Sequence, residues 1–182
     1  MPWTTYQSPI GPLTLIGGAA GLRRICFPAH TPSLALVDHD AEAMAGVAEQ
    51  LDEYFAGERR TFELDLDLVG SAFRQRVWSA LRSISYGQTT TYGALARRLD
   101  IADRDRPGTT TRPASAAQKV AWAIAATPAP IVVPCHRVIA ADGSLTGYLG
   151  GLRAKQALLD FEASGGILDA LRRGNQFQLA LL

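Results

Sequence analysis

Hydrophobic residues in the first third of the chain recur at spacings typical of strands and of one helix. Short runs with β-branched residues that end at Gly or Pro indicate strands, and apolar residues on one helical face indicate a helix. We therefore predict a turn at 8–11, strands at 13–16 and 22–27, a helix over 40–55 and a half-buried, strictly alternating strand at 62–68. These elements predict a small α/β domain, residues 1–68.

After Gly70 the hydrophobic spacing becomes mainly helical. Ser71 and Thr91 each precede an apolar helical pattern and can serve as its N-terminal cap. Further helices are predicted over 114–126 and 153–162, and the polar residues 100–113 predict a loop. Short helices in this order are typical of a helix-turn-helix unit. We predict a second domain at 69–165 and a C-terminal tail at 166–182.

The stretch from Pro130 to Ile139 places a thiol and an imidazole directly after an apolar, strand-like run. A thiol reacts as its thiolate, so a nucleophilic cysteine needs a nearby base and a shielded setting. Cys135 with His136 meets both conditions. The alternative is that Cys135 is a buried, unreactive residue, as free cysteines often are.

Composition and charge limit the kinds of protein that this chain can be. The chain has 182 residues, of which 47% are hydrophobic and 19% charged, and this composition is typical of a soluble globule without a membrane span. Two cysteines form neither a disulfide framework nor a zinc motif, and the start lacks a signal-peptide pattern, so we expect an intracellular location. Residues 1–66 hold 4 Lys/Arg and 9 Asp/Glu (−5), whereas residues 67–162 hold 12 and 7 (+5). The basic second part indicates either an anionic partner or an ordinary solvated face.

Several motifs together resemble the O6-alkylguanine-DNA alkyltransferase family, whose members move an alkyl group from guanine to their own cysteine. The matching segments are 8–13, 73–78, 86–87, 91–96, 134–139 and 143–152, followed by Lys155 and Glu162. The resemblance covers residues 4–163. It implies a ribonuclease H-like α/β N-terminal domain, with a small, mainly antiparallel sheet plus a helix, and a mainly α, winged helix-turn-helix-like domain after it.

The resemblance also implies catalytic roles. Cys135 would be the nucleophile and alkyl acceptor, His136 would act as its base through a bound water, and Glu162 would orient the imidazole. Tyr92 would lie near the target base and could protonate the departing guanine. Without the resemblance, Glu162 would be interpreted as a surface carboxylate and Tyr92 as a half-buried aromatic.

Binding residues follow from the same resemblance. The implied substrate-binding residues, each of which could instead be core packing, are Pro130, Val138, Tyr148, Leu149, Thr127 and Ile124. The implied DNA-binding residues are Thr91, Gln118, Lys119 and Trp122. The expected partner is double-stranded DNA containing alkylated guanine, bound by a monomer without cofactor or metal. A base inside a duplex must be flipped out before the thiol can reach it.

The predicted DNA-facing helix departs from the family pattern. Gln118 stands where the family has an intercalating arginine, and Lys119 and Trp122 stand where it has small residues. Thr127 replaces an asparagine of the active-site loop, and the loop at 100–113 is longer than usual. The thiol chemistry is retained, but the DNA-contacting surface differs.

The expected function is single-turnover transfer of an alkyl group from O6-alkylguanine in DNA, with O4-alkylthymine as a second candidate substrate, to Cys135. This is the activity of a methylated-DNA–protein-cysteine methyltransferase in the cytoplasm, or at the nucleoid in a bacterium. One alternative is a protein that recognises alkylated bases without efficient repair, although such relatives usually lack the cysteine. The other is a thiol alkyl acceptor with an atypical substrate.

Overall fold

The computed structural model describes residues 1–102 and 114–166. In chain order the elements are β1 (Trp3–Ser8), β2 (Gly11–Gly18), β3 (Gly21–Cys26), α1 (Ala45–Phe55), α2 (Ala72–Arg82), β4 (Thr90–Thr91), α3 (Tyr92–Arg98), α4 (Ala116–Ala125), β5 (Val138–Ile139) and α5 (Gly151–Ala163). Most of the predicted loop at 100–113 and nearly all of the predicted tail lie outside the described residues. Among the described helices, none combines the length and the apolar character that crossing a bilayer requires.

Strands β1, β2 and β3 form an antiparallel meander in that order. The β1–β2 hairpin is registered from Trp3 opposite Ile16 to Ser8 opposite Gly11. Gly11 has φ +109°, a conformation that glycine adopts without steric cost, so the chain can reverse at the predicted turn. The predicted strands at 13–16 and 22–27 and the antiparallel sheet are confirmed.

The prediction of a β-strand at 62–68 was wrong, because these residues do not form a regular strand. Its burial does alternate, since Glu63 and Asp65 are exposed while the apolar residues between and after them are partly buried. Its backbone, however, pairs with the sheet only around Leu22, whose N–H donates to Asp65 O (2.8 Å) and whose carbonyl accepts from Asp67 N (2.9 Å). Alternation predicts which side chains are buried, but it does not supply a partner strand.

Helix α1 begins at Ala45 and not at Asp40. Asp40 Oδ1 instead accepts a hydrogen bond from Ala43 N (2.9 Å) and forms a local turn. Aspartate side chains that bond to nearby backbone N–H groups compete with helix formation in this way. The predicted start was therefore too early, and the buried face of the helix was predicted correctly.

Both predicted helix caps in the second part of the chain are confirmed. Ser71 Oγ accepts from Arg74 N at the start of α2, and Thr91 Oγ1 accepts from Ala94 N at the start of α3. Helix α2 ends at Arg82, earlier than the break predicted at Tyr86. Short polar side chains satisfy N–H groups that a helix leaves unpaired in its first turn, so these starts are encoded locally.

The apolar run before Cys135 is a turn, and its interpretation as strand-like was wrong. Ile131 has φ +77°, and Val133 N donates to Ala129 O (2.8 Å) across the turn. A left-handed backbone at a β-branched residue costs about 1–3 kcal/mol and persists only where surrounding packing enforces it. Burial supplies that packing here, since Ile131 and Val133 are both buried.

Two hydrophobic cores flank the cysteine segment. The first joins the sheet and α1 to α5 and to residues 129–132, and the second joins α2, α3 and α4 to Val133, Cys135 and Val138. Tyr148 packs against both cores. The predicted fold class, a small antiparallel sheet with a helix followed by a mainly helical part, is confirmed. The division at residue 68 stays a prediction, because the first core takes residues from both sides of it.

Candidate active site

A one-turn 3-10 helix, Cys135–Arg137, carries the thiol and the imidazole between the two cores. Pro134 directly precedes this turn, and strand β5 follows it and pairs in parallel with β4. Glu162 reaches the same place from the buried face of α5. The structure therefore brings together three of the predicted catalytic residues, Cys135, His136 and Glu162, all of them buried.

The Glu162 carboxylate accepts five hydrogen bonds. Its Oε1 accepts from Tyr54 Oη (2.7 Å), His136 Nε2 (2.9 Å) and Arg137 Nη2 (2.8 Å). Its Oε2 accepts from Arg137 Nε (2.8 Å) and Gly87 N (3.1 Å). Burial acts to raise the pKa of Glu162, but the hydrogen bonds from His136 and Arg137 and the charge of Arg137 outweigh it and hold the pKa well below its ordinary value. Glu162 is therefore a buried carboxylate, and its interpretation as a surface residue is excluded.

His136 is held as a neutral imidazole of defined tautomer. Burial lowers its pKa below the ordinary value of 6.5, although Glu162 acts in the opposite direction. A carboxylate can only accept, so Nε2 carries the hydrogen that is donated to Glu162. Nδ1 is left unprotonated, and it is buried without a hydrogen-bond partner among the described residues. Nδ1 can therefore accept a proton.

The Cys135 thiol is protonated at rest. Burial raises its pKa to about 12, which outweighs the lowering effects of the Thr127 hydroxyl and the Lys155 charge. Thr127 is almost fully buried, and its hydroxyl has no regular hydrogen bond within the described chain. At neutral pH only about one thiol in 10⁵ would ionise without help. Reaction at this sulfur therefore requires a base.

Lys155 and Tyr54 belong to the site, and sequence reasoning assigned neither of them a role. Lys155 is fully buried, and its Nζ donates to Val138 O (2.6 Å) and to Thr146 O (2.9 Å). It thus ties the cysteine segment to the segment that follows it. The available signal was helical spacing, which places Lys155 on the same face of α5 as Glu162. Tyr54 lies on the buried face predicted for the first helix, but no local pattern links it to Glu162.

A cleft of about 600 Å³ opens onto Cys135. The predicted site residues that line it with the cysteine are Tyr92, Gln118, Trp122, Ile124, Tyr148 and Leu149. Tyr92 Oη is hydrogen-bonded to Thr146 Oγ1 (2.9 Å) at its wall. The Tyr148 ring packs edge-on against Phe27 and His136, with centroids 5.7 and 6.4 Å away. The wall is mainly apolar, as small-molecule and base pockets usually are.

The remaining predicted residues lie around this cleft and not in its lining. Pro130 and Val138 are buried, and the Val138 carbonyl is already bonded to Lys155. Thr127 lines a neighbouring groove that shares Ala125 and Leu149 with the cleft. Thr91 caps α3, and Lys119 lines a smaller depression beside Trp122. Among the described residues, no group of three His, Cys, Asp or Glu side chains could hold a metal ion.

Comparison with known proteins agrees with this geometry. The family described as 6-O-methylguanine DNA methyltransferase matches in two parts, its ribonuclease-like domain at residues 1–68 and its DNA binding domain at residues 72–164. A methylated-DNA–protein-cysteine methyltransferase of Mycobacterium tuberculosis is 44% identical over 164 residues, 89% of this chain and 92% of that protein. One of Methanosarcina acetivorans is 36% identical over 90% of this chain and 99% of its own length.

A solved structure is similar over nearly the whole chain. The crystal structure of Mycobacterium tuberculosis OGT in complex with DNA superposes with a TM-score of 0.80 at 42% identity, covering 94% of this chain and 99% of that one. The crystal structure of Mycobacterium tuberculosis O6-methylguanine methyltransferase superposes with a TM-score of 0.74 at 42% identity, covering 90% of this chain and 93% of that one. Motifs, fold and relatives agree, and the chain belongs to the 6-O-methylguanine DNA methyltransferase family.

Proposed function

We propose that the chain repairs DNA directly by moving the alkyl group of O6-alkylguanine to Cys135, once per protein molecule. The observation that carries the proposal is a buried thiol in the lining of an apolar cleft, next in the chain to an imidazole that burial keeps neutral and Glu162 orients. The curated relatives share this activity by name, and one solved relative is a complex with DNA.

The first step creates the nucleophile. The Cys135 proton passes to His136 Nδ1, through the bridging water that the family resemblance implies, and Nε2 keeps its hydrogen bond to Glu162. The carboxylate stabilises the imidazolium that forms, in the same way that the acidic member of a nucleophile–base–orienter triad does. The high pKa of the resting thiol limits side reactions until a substrate fills the cleft.

The second step transfers the alkyl group. The sulfur forms a bond to the alkyl carbon, the bond between that carbon and O6 breaks, and its electron pair moves into the guanine ring. A ring nitrogen of guanine then takes up a proton, and the Tyr92 hydroxyl, which stands in the cleft wall, is the proposed donor. The products are guanine and S-alkylcysteine. The thioether is not cleaved again, so each molecule acts once and no cofactor takes part.

DNA would approach through the helical part of the chain. Helices α3 and α4 pack together in the second core, and α4 forms one wall of the cleft. We assign the DNA contacts to Thr91, Gln118, Lys119 and Trp122 and infer that the damaged base flips into the cleft, because a stacked base cannot reach a buried thiol. The working location is then wherever the DNA is, which is the cytoplasmic nucleoid in a bacterium.

Intact-mass measurement after incubation with duplex DNA containing O6-methylguanine tests the proposal. One methyl group on the Cys135 peptide, with no more than one transfer per protein, is expected. Binding of the damaged duplex without modification would instead support a recognition protein. Absence of both binding and transfer would direct attention to other alkylated substrates of the thiol.

A further inference from the structure

Trp122 projects from the wall of the cleft although its size and apolarity favour burial. Its side chain is 64% exposed and is the largest of the exposed hydrophobic side chains in the described part of the chain. Three of the other five cleft-lining residues on α4 are small, namely Ala117, Ala121 and Ala125, and the remaining two are Gln118 and Ile124. A helix with a small-residue surface and one protruding aromatic can approach a narrow groove closely while the aromatic extends into it.

Gln118, at the position of the family's intercalating arginine, has its side chain engaged elsewhere. Its Oε1 accepts from Ser115 N (2.9 Å), and its own N–H donates to Ser115 Oγ (3.2 Å). Together these bonds form a capping box at the start of α4. A side chain that closes its own helix terminus is not extended toward a partner, so Gln118 is poorly placed to enter DNA.

The surroundings of Trp122 suit a nucleic acid. Trp122 lines the cleft that contains Cys135. It also lines a second depression, of about 300 Å³, which Arg74 and Lys119 line as well. Cations at such a position can bind phosphates without reading sequence. Trp122 therefore separates the base-sized cleft from a basic surface.

We propose that Trp122, and not Gln118, enters the duplex and stacks in the space that the flipped base leaves. The inference rests on the proposed function and assigns a residue to its base-flipping step. Apolar side chains that wedge between base steps bend and unstack duplexes, and stacking of a base on an aromatic ring is favourable for every base. The arginine of the family would then be replaced by an aromatic four residues later, one turn along the same helix face.

The test compares single-turnover methyl transfer from O6-methylguanine in a duplex with transfer from the same lesion in a single strand, at saturating protein. A single strand leaves no gap in a base-paired stack, so insertion should matter only for the duplex. For W122A the ratio of duplex rate to single-strand rate should fall about 10- to 100-fold. W122F should keep the ratio within about threefold of the unaltered protein, because its ring can still stack.

Two controls separate insertion from other effects. Q118A should lower the ratio less than W122A does, since it loses a helix cap but no stacking group. L36A removes another exposed apolar side chain, outside the cleft, and should leave the ratio unchanged. The inference would be overturned if W122A lowered the ratio of duplex rate to single-strand rate by less than about fivefold. It would also be overturned if W122F lowered the ratio as much as W122A, or if Q118A lowered it more. If the unaltered protein transferred from neither substrate, the proposed function itself would fail, and this inference with it.

Discussion

Replacing Glu162 by glutamine tests how far the site depends on one buried carboxylate. The substitution keeps the shape of the side chain but removes the charge and turns one acceptor oxygen into an NH2 group. Three donors converge on Oε1 and two on Oε2, so either orientation of the amide places the NH2 against donors. No rotation of the new side chain can satisfy the partners that remain.

The loss of stability in E162Q follows from the donors that remain buried without an acceptor. With the NH2 in the place of Oε2, Arg137 Nε and Gly87 N lose their acceptor, and the buried guanidinium loses its counter-charge. Removing one partner of a buried ion pair costs about 3–5 kcal/mol. We therefore expect the free energy of unfolding to fall by about 3–5 kcal/mol, a large part of the roughly 5–15 kcal/mol typical of a domain.

Transfer should slow independently of this loss of stability. With the NH2 at Oε2, His136 keeps Oε1 as its acceptor but loses the negative charge that stabilises its protonated form. Positioned bases contribute about 10²–10⁴ to a rate, so the single-turnover rate with methylated duplex should fall at least about 100-fold. The rate is measured at low temperature, where the variant remains folded.

Urea unfolding and single-turnover kinetics on two control variants complete this test. D160N makes the same chemical change on α5 at an exposed carboxylate bonded to Gln156 (2.8 Å), and it should cost less than about 0.5 kcal/mol. Y54F removes one of the five donors but leaves the carboxylate, and it should cost about 1–2 kcal/mol. A loss in E162Q no larger than in D160N, together with a near-normal rate, would refute the assigned role of Glu162.

Three further outcomes are expected. C135S should abolish transfer and keep DNA binding, as measured by mass and by gel shift; residual transfer mapped to Cys26 would contradict the assignment. The pKa of His136 lies below 6.5 and that of the Cys135 thiol is about 12, so the imidazole is neutral and the thiol protonated between these values. The single-turnover transfer rate should therefore be nearly constant from pH 6.5 to about 8.5 if His136 assists. A rate that rises about tenfold per pH unit would indicate reaction of the free thiolate instead. K155M should lower the free energy of unfolding by about 2 kcal/mol, since the buried Val138 carbonyl and the part-buried Thr146 carbonyl lose their donor, and R153M, at an exposed position of the same helix, should not. Equal urea midpoints would argue against this role of Lys155.

Local features of the chain were predictable because they depend on residues close in sequence. The caps at Ser71 and Thr91 bond to N–H groups three residues ahead, and the β1–β2 turn depends on one glycine. The adjacency of Cys135 and His136 is likewise local. Periodicity also predicted correctly which face of α1 is buried, because burial repeats with the helical turn.

Predictions failed where the backbone needed a distant partner or a strained conformation. Residues 62–68 alternate like a strand but pair with the sheet at only one point, Leu22. The apolar run before Cys135 reads like a strand, yet packing holds Ile131 in a left-handed turn. Short apolar runs carry no periodic signal that separates strand from turn.

The sequence by itself determined the adjacency of the Cys135 thiol and the His136 imidazole, the helix starts at Ser71 and Thr91, the β1–β3 meander strands and, through the family motifs, the choice of Glu162 as the proposed third member. Tertiary structure alone decided what surrounds that carboxylate. Tyr54 lies 108 positions away in the chain, Gly87 lies 75 away, and His136 and Arg137 lie 26 and 25 away. The packing of α1 and α5 into one core brings Tyr54 within hydrogen-bond distance of Glu162, and the sequence does not reveal such contacts because side-chain patterns encode burial and not the identity of a distant partner.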